Sequence, residues 1–122
     1  MCKKIELYKK QKRYNDKYLE LAKCWSQLSY AKRKKVGCII VKNGSIISDG
    51  YNGTPKGFSN ECEHSNGKTK WYVMHAEANA ILKLSKSNIS SIGSTLYTTL
   101  SPCRECAKLI LQADIKKVYY NE

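Results

Sequence analysis

Two short stretches hold residues able to do chemistry. One is HAEANAI, beginning at His75; the other is LSPCREC, ending at Cys106. Cys103 and Cys106 are three residues apart, so on a helix they share a face. Ser101 and Pro102 precede them and read as an N-cap and a first helical residue. Free N–H groups and the dipole at a helix start favour anions, so both thiols are expected to ionise readily. Two thiolates are half of a tetrahedral zinc site. His75 as third ligand leaves one position open for water, the pattern of a catalytic site. Zinc lowers the pKa of a bound water from about 15.7 to about 7. Glu77 is then a nearby carboxylate able to take a proton and pass it on. Residues i and i+2 do not share a helix face, so the pairing requires His75 in the first turn.

The elements around these residues follow from periodicity and turn chemistry. Tyr14, Tyr18, Leu21, Ala22, Trp25 and Leu28 have helix spacing within residues 11–29, a stripe for the core or a subunit interface. The basic AKRKK follows as a loop. Residues 36–41 are a continuous apolar run and read as a buried strand. Asn43-Gly44 is a hairpin turn, and Ile46 to Ser48 is the paired strand. GYNGTPKGFSN, starting at Gly50, reads as a long loop, a frequent carrier of function. A second helix is expected over about 75–86, with Ala80, Ile81 and Leu84 inward. A strand over 95–100 leads into a helix that ends near 113. Asp114 suits a left-handed residue at its end, and 116–120 is the last strand. The order α-β-β-α-β-α-β implies an α/β fold: a hairpin, two crossovers, a mixed sheet and helices on its faces.

The 122 residues suit a single domain, 1–122, with a real core. No run has the apolar length of a membrane span, and the N-terminus is too polar for a secretory signal, so a cytoplasmic protein is expected. Of the six cysteines only Cys103 and Cys106 have ligand spacing, and disulfides are not expected inside a cell. Cys24 and Cys38 read as buried small hydrophobes. The net charge of +12 favours an anionic ligand such as a nucleotide or nucleic acid.

Alone, H-x-E or C-x-x-C says little. Together, with Pro102 before the first cysteine, they match H-x-E…P-C-x-x-C, the zinc deaminase signature. At these residues the chain resembles the cytidine deaminase superfamily, and within it the deoxycytidylate deaminases of phage and bacterial type. The resemblance runs from about Ser26 to Tyr120. It rests on KRKKVGCIIVKNGSIISDGYNGTPKGFSN, HAEANAI and TLYTTLSPCRECAKLILQADIKKVYY. The GYNGTPKGF loop is its most specific part.

The resemblance implies a three-layer α/β/α fold and hydrolysis of dCMP to dUMP and ammonia, feeding dTTP synthesis. It implies catalytic Zn²⁺ on His75, Cys103 and Cys106, with Glu77 moving protons to N3 and to the leaving amine. Asn52 would hold the deoxyribose, Arg33 the 5′-phosphate, and Ala76 and Ser101 the base. It further implies a homohexamer activated by dCTP with Mg²⁺ and inhibited by dTTP. Gly50, Asn52, Gly53 and Lys56 would belong to that effector site. Stable nucleic-acid or membrane binding is not expected; the location is cytoplasmic, that of the host for a phage-encoded chain.

Three departures bear on this. The family usually continues past the fourth strand with a Tyr-Arg pair, a helix and often a strand. Phosphate binding is therefore expected to lean on Arg33, the lysines or a neighbouring subunit. Ala31 stands where some phage members have a cysteine for a second zinc, so that site is not expected, and Cys62 and His64 read as buried or surface residues. Gln112-Ala113-Asp114 replaces a common QAG or QSG. Two rival readings are a deaminase of transfer-RNA adenosine or single-stranded DNA cytosine, and a non-catalytic zinc module that binds nucleic acid.

Overall fold

The apolar run read as a strand is the middle of a sheet. In the computed structural model, which describes residues 3–122, it forms β1 (Gly37–Lys42). Five of its six residues are buried, because layers cover both sides of it. Asn43 and Gly44 both adopt positive φ, 50° and 76°, as a two-residue hairpin turn requires. The chain returns antiparallel as β2 (Ser45–Tyr51). On its other edge β1 pairs antiparallel with β3 (Thr95–Thr98), which pairs in parallel with β4 (Lys117–Tyr120). The mixed sheet has the order β2-β1-β3-β4.

Alternate residues of the central strands feed opposite layers, as the pleat dictates. Cys38, Ile40 and Leu96 cluster with Ala76, Ala80 and Leu84 of α2 (Ala76–Leu84) and Ile110 of α3 (Arg104–Gln112). Ile39, Val41 and Tyr97 cluster with Tyr18 and Ala22 of α1 (Lys3–Ser26). Each buried aliphatic side chain contributes about 2 kcal/mol. The result is the expected three-layer α/β/α arrangement with the expected element order. Asp114 closes α3 with φ 57°, the left-handed conformation read from its position.

Several expectations need correction. α1 begins at Lys3 rather than near 11, and every residue from 3 to 14 is exposed. Its contact ridge is narrow: Tyr18, Ala22 and Ser26 are buried, one per turn. Tyr14, Leu21 and Leu28 are therefore exposed, and so is Cys24, while Cys38 is buried as expected. Trp25 is half-buried and donates to Asp49. Cys2 lies outside the described residues. No helix among the described residues is long and apolar enough to cross a membrane.

The sheet and α1 touch backbone to backbone at Gly37. A Cβ there would lie 1.9 Å from the Ala22 carbonyl oxygen and 2.6 Å from the Ser26 nitrogen. No rotamer relieves a clash with main chain. Gly37→Ala is expected to cost about 3 kcal/mol and lower the Tm by roughly 10 °C. A melting curve within about 2 °C of wild type would contradict this packing.

Candidate active site

The three ligand-type residues sit at two helix starts that face each other. The N-cap of α2 is His75 and the N-cap of α3 is Cys103. Both have extended backbone, with φ/ψ of −75°/155° and −72°/171°, and neither side chain caps its own helix. Their carbonyls start the helices instead, accepting from Asn79 and Ala107. The side chains are free to face outward from the helix ends and toward each other. Local signals in the sequence place the cap at Ser101 and the first helical residue at Pro102. Those two residues lie instead in the extended lead-in, where the Ser101 N–H donates to the Glu122 carbonyl.

This placement resolves the difficulty of the H-x-E spacing. At the N-cap, His75 is not bound to a helix face, while Glu77 lies inside the first turn of α2. Likewise Cys103 and Cys106 occupy the N-cap and third helical positions, whose side chains meet in ordinary capping boxes. His75 Nδ1 lies 3.3 Å from the sulfur of Cys103 and 3.3 Å from that of Cys106. All three donor atoms fall within 4.8 Å of one another. Zinc–ligand bonds of about 2.0 and 2.3 Å in tetrahedral geometry separate N and S by roughly 3.5 Å, so the cluster fits a zinc ion. Among the described residues this is the one such group; Cys62 is buried and His64 exposed apart from it.

The electrostatics also differ from the simple helix-start expectation. Burial, above all, pushes the Cys106 thiol well up, and the charges of Glu77 and Cys103 push the same way. The Ala78 backbone N–H opposes this without prevailing. A coordinated metal beside Cys106 would favour its thiolate. Burial likewise raises the Glu77 carboxyl above its ordinary value, opposed by its own N–H, His75 and Cys106. Only 4% of Glu77 is exposed, so this carboxyl is held where proton affinity is high.

A cleft of about 480 Å³ opens over the cluster. His75, Glu77 and Cys103 line it together with Arg33, Asn52, Ala76 and Ser101, the four residues singled out for substrate. Of these, Asn52 has a structural task as well. Its Oδ1 accepts from the Val36 N–H at 2.9 Å, and its Nδ2 donates to the Lys34 carbonyl at 2.7 Å. Ser29 Oγ donates to the Asn52 carbonyl. Lys34, one of the lysines expected to help with phosphate, also lines the cleft, and so does Glu63, for which there was no expectation. Lys34 was visible only as one of a charge run; Glu63 left no local signal.

The expected effector loop is only partly a loop. Gly50 and Tyr51 belong to β2, and Gly50 is buried under α2. A Cβ on Gly50 would meet the Ala76 oxygen at 2.4 Å, so this glycine serves close helix–strand approach. Gly53 pairs with Met74 through main-chain bonds, and Lys56 is exposed on a turn closed by Phe58 and Pro55.

The architecture and the ligand cluster have known counterparts. The cytidine and deoxycytidylate deaminase zinc-binding region matches residues 11–122. Deoxycytidylate deaminase of enterobacteria phage T4 is 36% identical over 85% of this chain and 75% of its own. That of Mycobacterium phage D29 is 34% identical over 88% of this chain and 93% of its own. The crystal structure of dCMP deaminase from cyanophage S-TIM5, in complex with dCMP and dUMP, superposes with a TM-score of 0.84 at 48% identity. That match covers 98% of this chain and 82% of the other. With the fold, the cluster and these relatives in agreement, the chain belongs to the cytidine and deoxycytidylate deaminase family and is a deaminase.

Proposed function

We propose that the protein hydrolyses dCMP to dUMP and ammonia. The observation that carries this reading is the buried Glu77 carboxyl beside three convergent donor atoms, in a cleft that also holds Arg33 and Lys34. The relatives named as deoxycytidylate deaminases support the substrate, as does the cyanophage enzyme's complex with dCMP and dUMP.

His75 Nδ1 and the sulfurs of Cys103 and Cys106 hold Zn²⁺ in this reading. When bound, zinc supplies Lewis-acid charge and an activated water at neutral pH. Glu77 takes a proton from the water that adds at C4 and delivers it to N3 of the cytosine. It then takes the proton of the new C4 hydroxyl and passes it to the exocyclic nitrogen, which leaves as ammonia as the C4 carbonyl forms. Burial suits Glu77 to this exchange, because a carboxyl whose proton affinity is raised above the ordinary value is a better proton acceptor. Ala76, fully buried at the start of α2, forms one wall of the base pocket and Ser101 another. Asn52 lies toward the sugar while bracing the loop before β1. The Arg33 guanidinium, exposed and without an ion-pair partner among the described residues, takes the 5′-phosphate through its forked donors.

Regulation completes the proposal. A homohexamer activated by Mg²⁺·dCTP and inhibited by dTTP accords with the family resemblance. Gly53, Asn52 and exposed Lys56 are the effector contacts, and Gly50 acts through packing.

Loss of cytosine absorbance, followed for dCMP beside deoxycytidine, CMP, dCTP and a single-stranded oligonucleotide, tests the substrate. Turnover of dCMP in preference to the others is expected; turnover of the oligonucleotide alone would establish the nucleic-acid reading in its place. Glu77→Gln should lower kcat by at least about 10³-fold while the protein keeps its zinc. A Glu77→Gln variant that retains about a tenth of wild-type kcat would remove Glu77 from the chemistry. Turnover should depend sigmoidally on dCMP, fall with dTTP and recover with Mg²⁺·dCTP. Hyperbolic kinetics indifferent to both nucleotides would refute the regulatory part.

A further inference from the structure

The segment from Ser29 to Val36 carries Arg33 and Lys34 into the cleft, yet it belongs to no helix or strand. Three sets of hydrogen bonds, two to Asn52 and one to Glu63, hold it. Ser29 Oγ donates to the Asn52 carbonyl and accepts from the Ala31 N–H. The Asn52 side chain bridges Lys34 and Val36. The third anchor is Glu63, about thirty residues further along the chain. A single carboxylate oxygen of Glu63 accepts from the N–H of Lys32 at 3.0 Å and from that of Arg33 at 3.2 Å.

Glu63 itself stands on a firm base. The His64 N–H donates to the Lys68 carbonyl and the Lys70 N–H to the Cys62 carbonyl, closing a small hairpin. Gly67 turns that hairpin with φ 83°, and buried Cys62 roots it in the cleft wall. Glu63, Cys62 and Arg33 line both the catalytic cleft and an adjoining outer groove. A carboxylate on the rim of a phosphate site would repel the phosphate if it pointed inward. Here one of its oxygens is engaged by two backbone donors, and the guanidinium of Arg33 has no ion-pair partner among the described residues. Ionised hydrogen bonds of this kind are stronger than neutral ones, so the carboxylate is well suited to set the loop's position.

We propose that Glu63 is a positioning residue for nucleotide recognition: it fixes the Arg33 backbone so that the cleft prefers a 5′-phosphorylated nucleotide to the free nucleoside. The inference rests on the dCMP reading for its substrate class. Its role is indirect, since Glu63 acts through Arg33 rather than on the ligand.

Calorimetric affinities for dUMP and deoxyuridine, measured on the zinc-loaded protein, test it. In wild type, dUMP should bind more tightly. Glu63→Ala should weaken dUMP about tenfold and leave deoxyuridine within about twofold. Glu63→Gln retains an acceptor oxygen for both N–H groups and should keep most of the preference. Arg33→Ala should lose the preference, and adding Glu63→Ala to it should change dUMP affinity no further, as expected for two residues acting as one unit. Equal weakening of dUMP and deoxyuridine in Glu63→Ala would overturn the proposal. So would full additivity with Arg33→Ala, or a wild-type protein without preference for dUMP. Turnover of dCMP by the same wild-type preparation is read separately. A protein that shows the coupling and deaminates nothing defeats the activity, whereas one that deaminates dCMP without the coupling defeats only the role of Glu63.

Discussion

Everything at the centre depends on two helix starts facing each other across the end of the sheet. The positive ends of α2 and α3 converge there, and a dication between them would be electrostatically uphill without compensation. Cys103, Cys106 and Glu77 supply the negative charge that offsets it. Placing His75 and Cys103 at N-caps frees their side chains from any helix face, so residues from two elements can aim at one point. Burial, against the pull of these helix starts, raises the Cys106 thiol and the Glu77 carboxyl. Both side chains are buried, and a cation beside them would favour their ionised forms.

Holding donor atoms from two helix starts within 4.8 Å of one another requires a stiff frame. Strands β1 and β3 provide it, with buried residues on both faces. Two glycines permit the close approach of helices to this frame. Gly50 brings α2 against β2 at Ala76 and Ala80, directly behind the catalytic turn. Gly37 brings α1 against β1 just below the loop that carries Arg33. Ser48 and Asn79 add side-chain bonds between β2 and α2, to the Ala80 and Tyr51 carbonyls. The packing that stabilises the fold is therefore also what sets the site.

Much of this was legible in the residues, for reasons that differ from place to place. Asn43-Gly44 announced its turn because few residue pairs tolerate positive φ twice. The continuous apolar run of β1 announced a strand buried on both faces, since water reaches neither. The ligand cluster was legible because zinc chemistry demands few residue types at fixed spacing. The first turns of α1 were illegible: residues 3–14 are all exposed, so no burial pattern marks them. The start of α3 was misread because Ser101-Pro102 carries strong local cap signals. The tertiary requirement that the Cys103 sulfur face His75 overrides them. The bond from Glu63 to Lys32 and Arg33 joins a side chain to main chain across about thirty residues, a contact with no sequence pattern.

His75, Cys103 and Cys106 are expected to form an open three-ligand zinc site. X-ray absorption at the zinc edge of the purified protein tests it most directly. About one zinc per chain is expected, with two sulfurs near 2.3 Å and two nitrogen or oxygen atoms near 2.0 Å. One light atom is His75 Nδ1 and the other is solvent. A shell of three or four sulfurs, or zinc retained in full by His75→Ala, would contradict it.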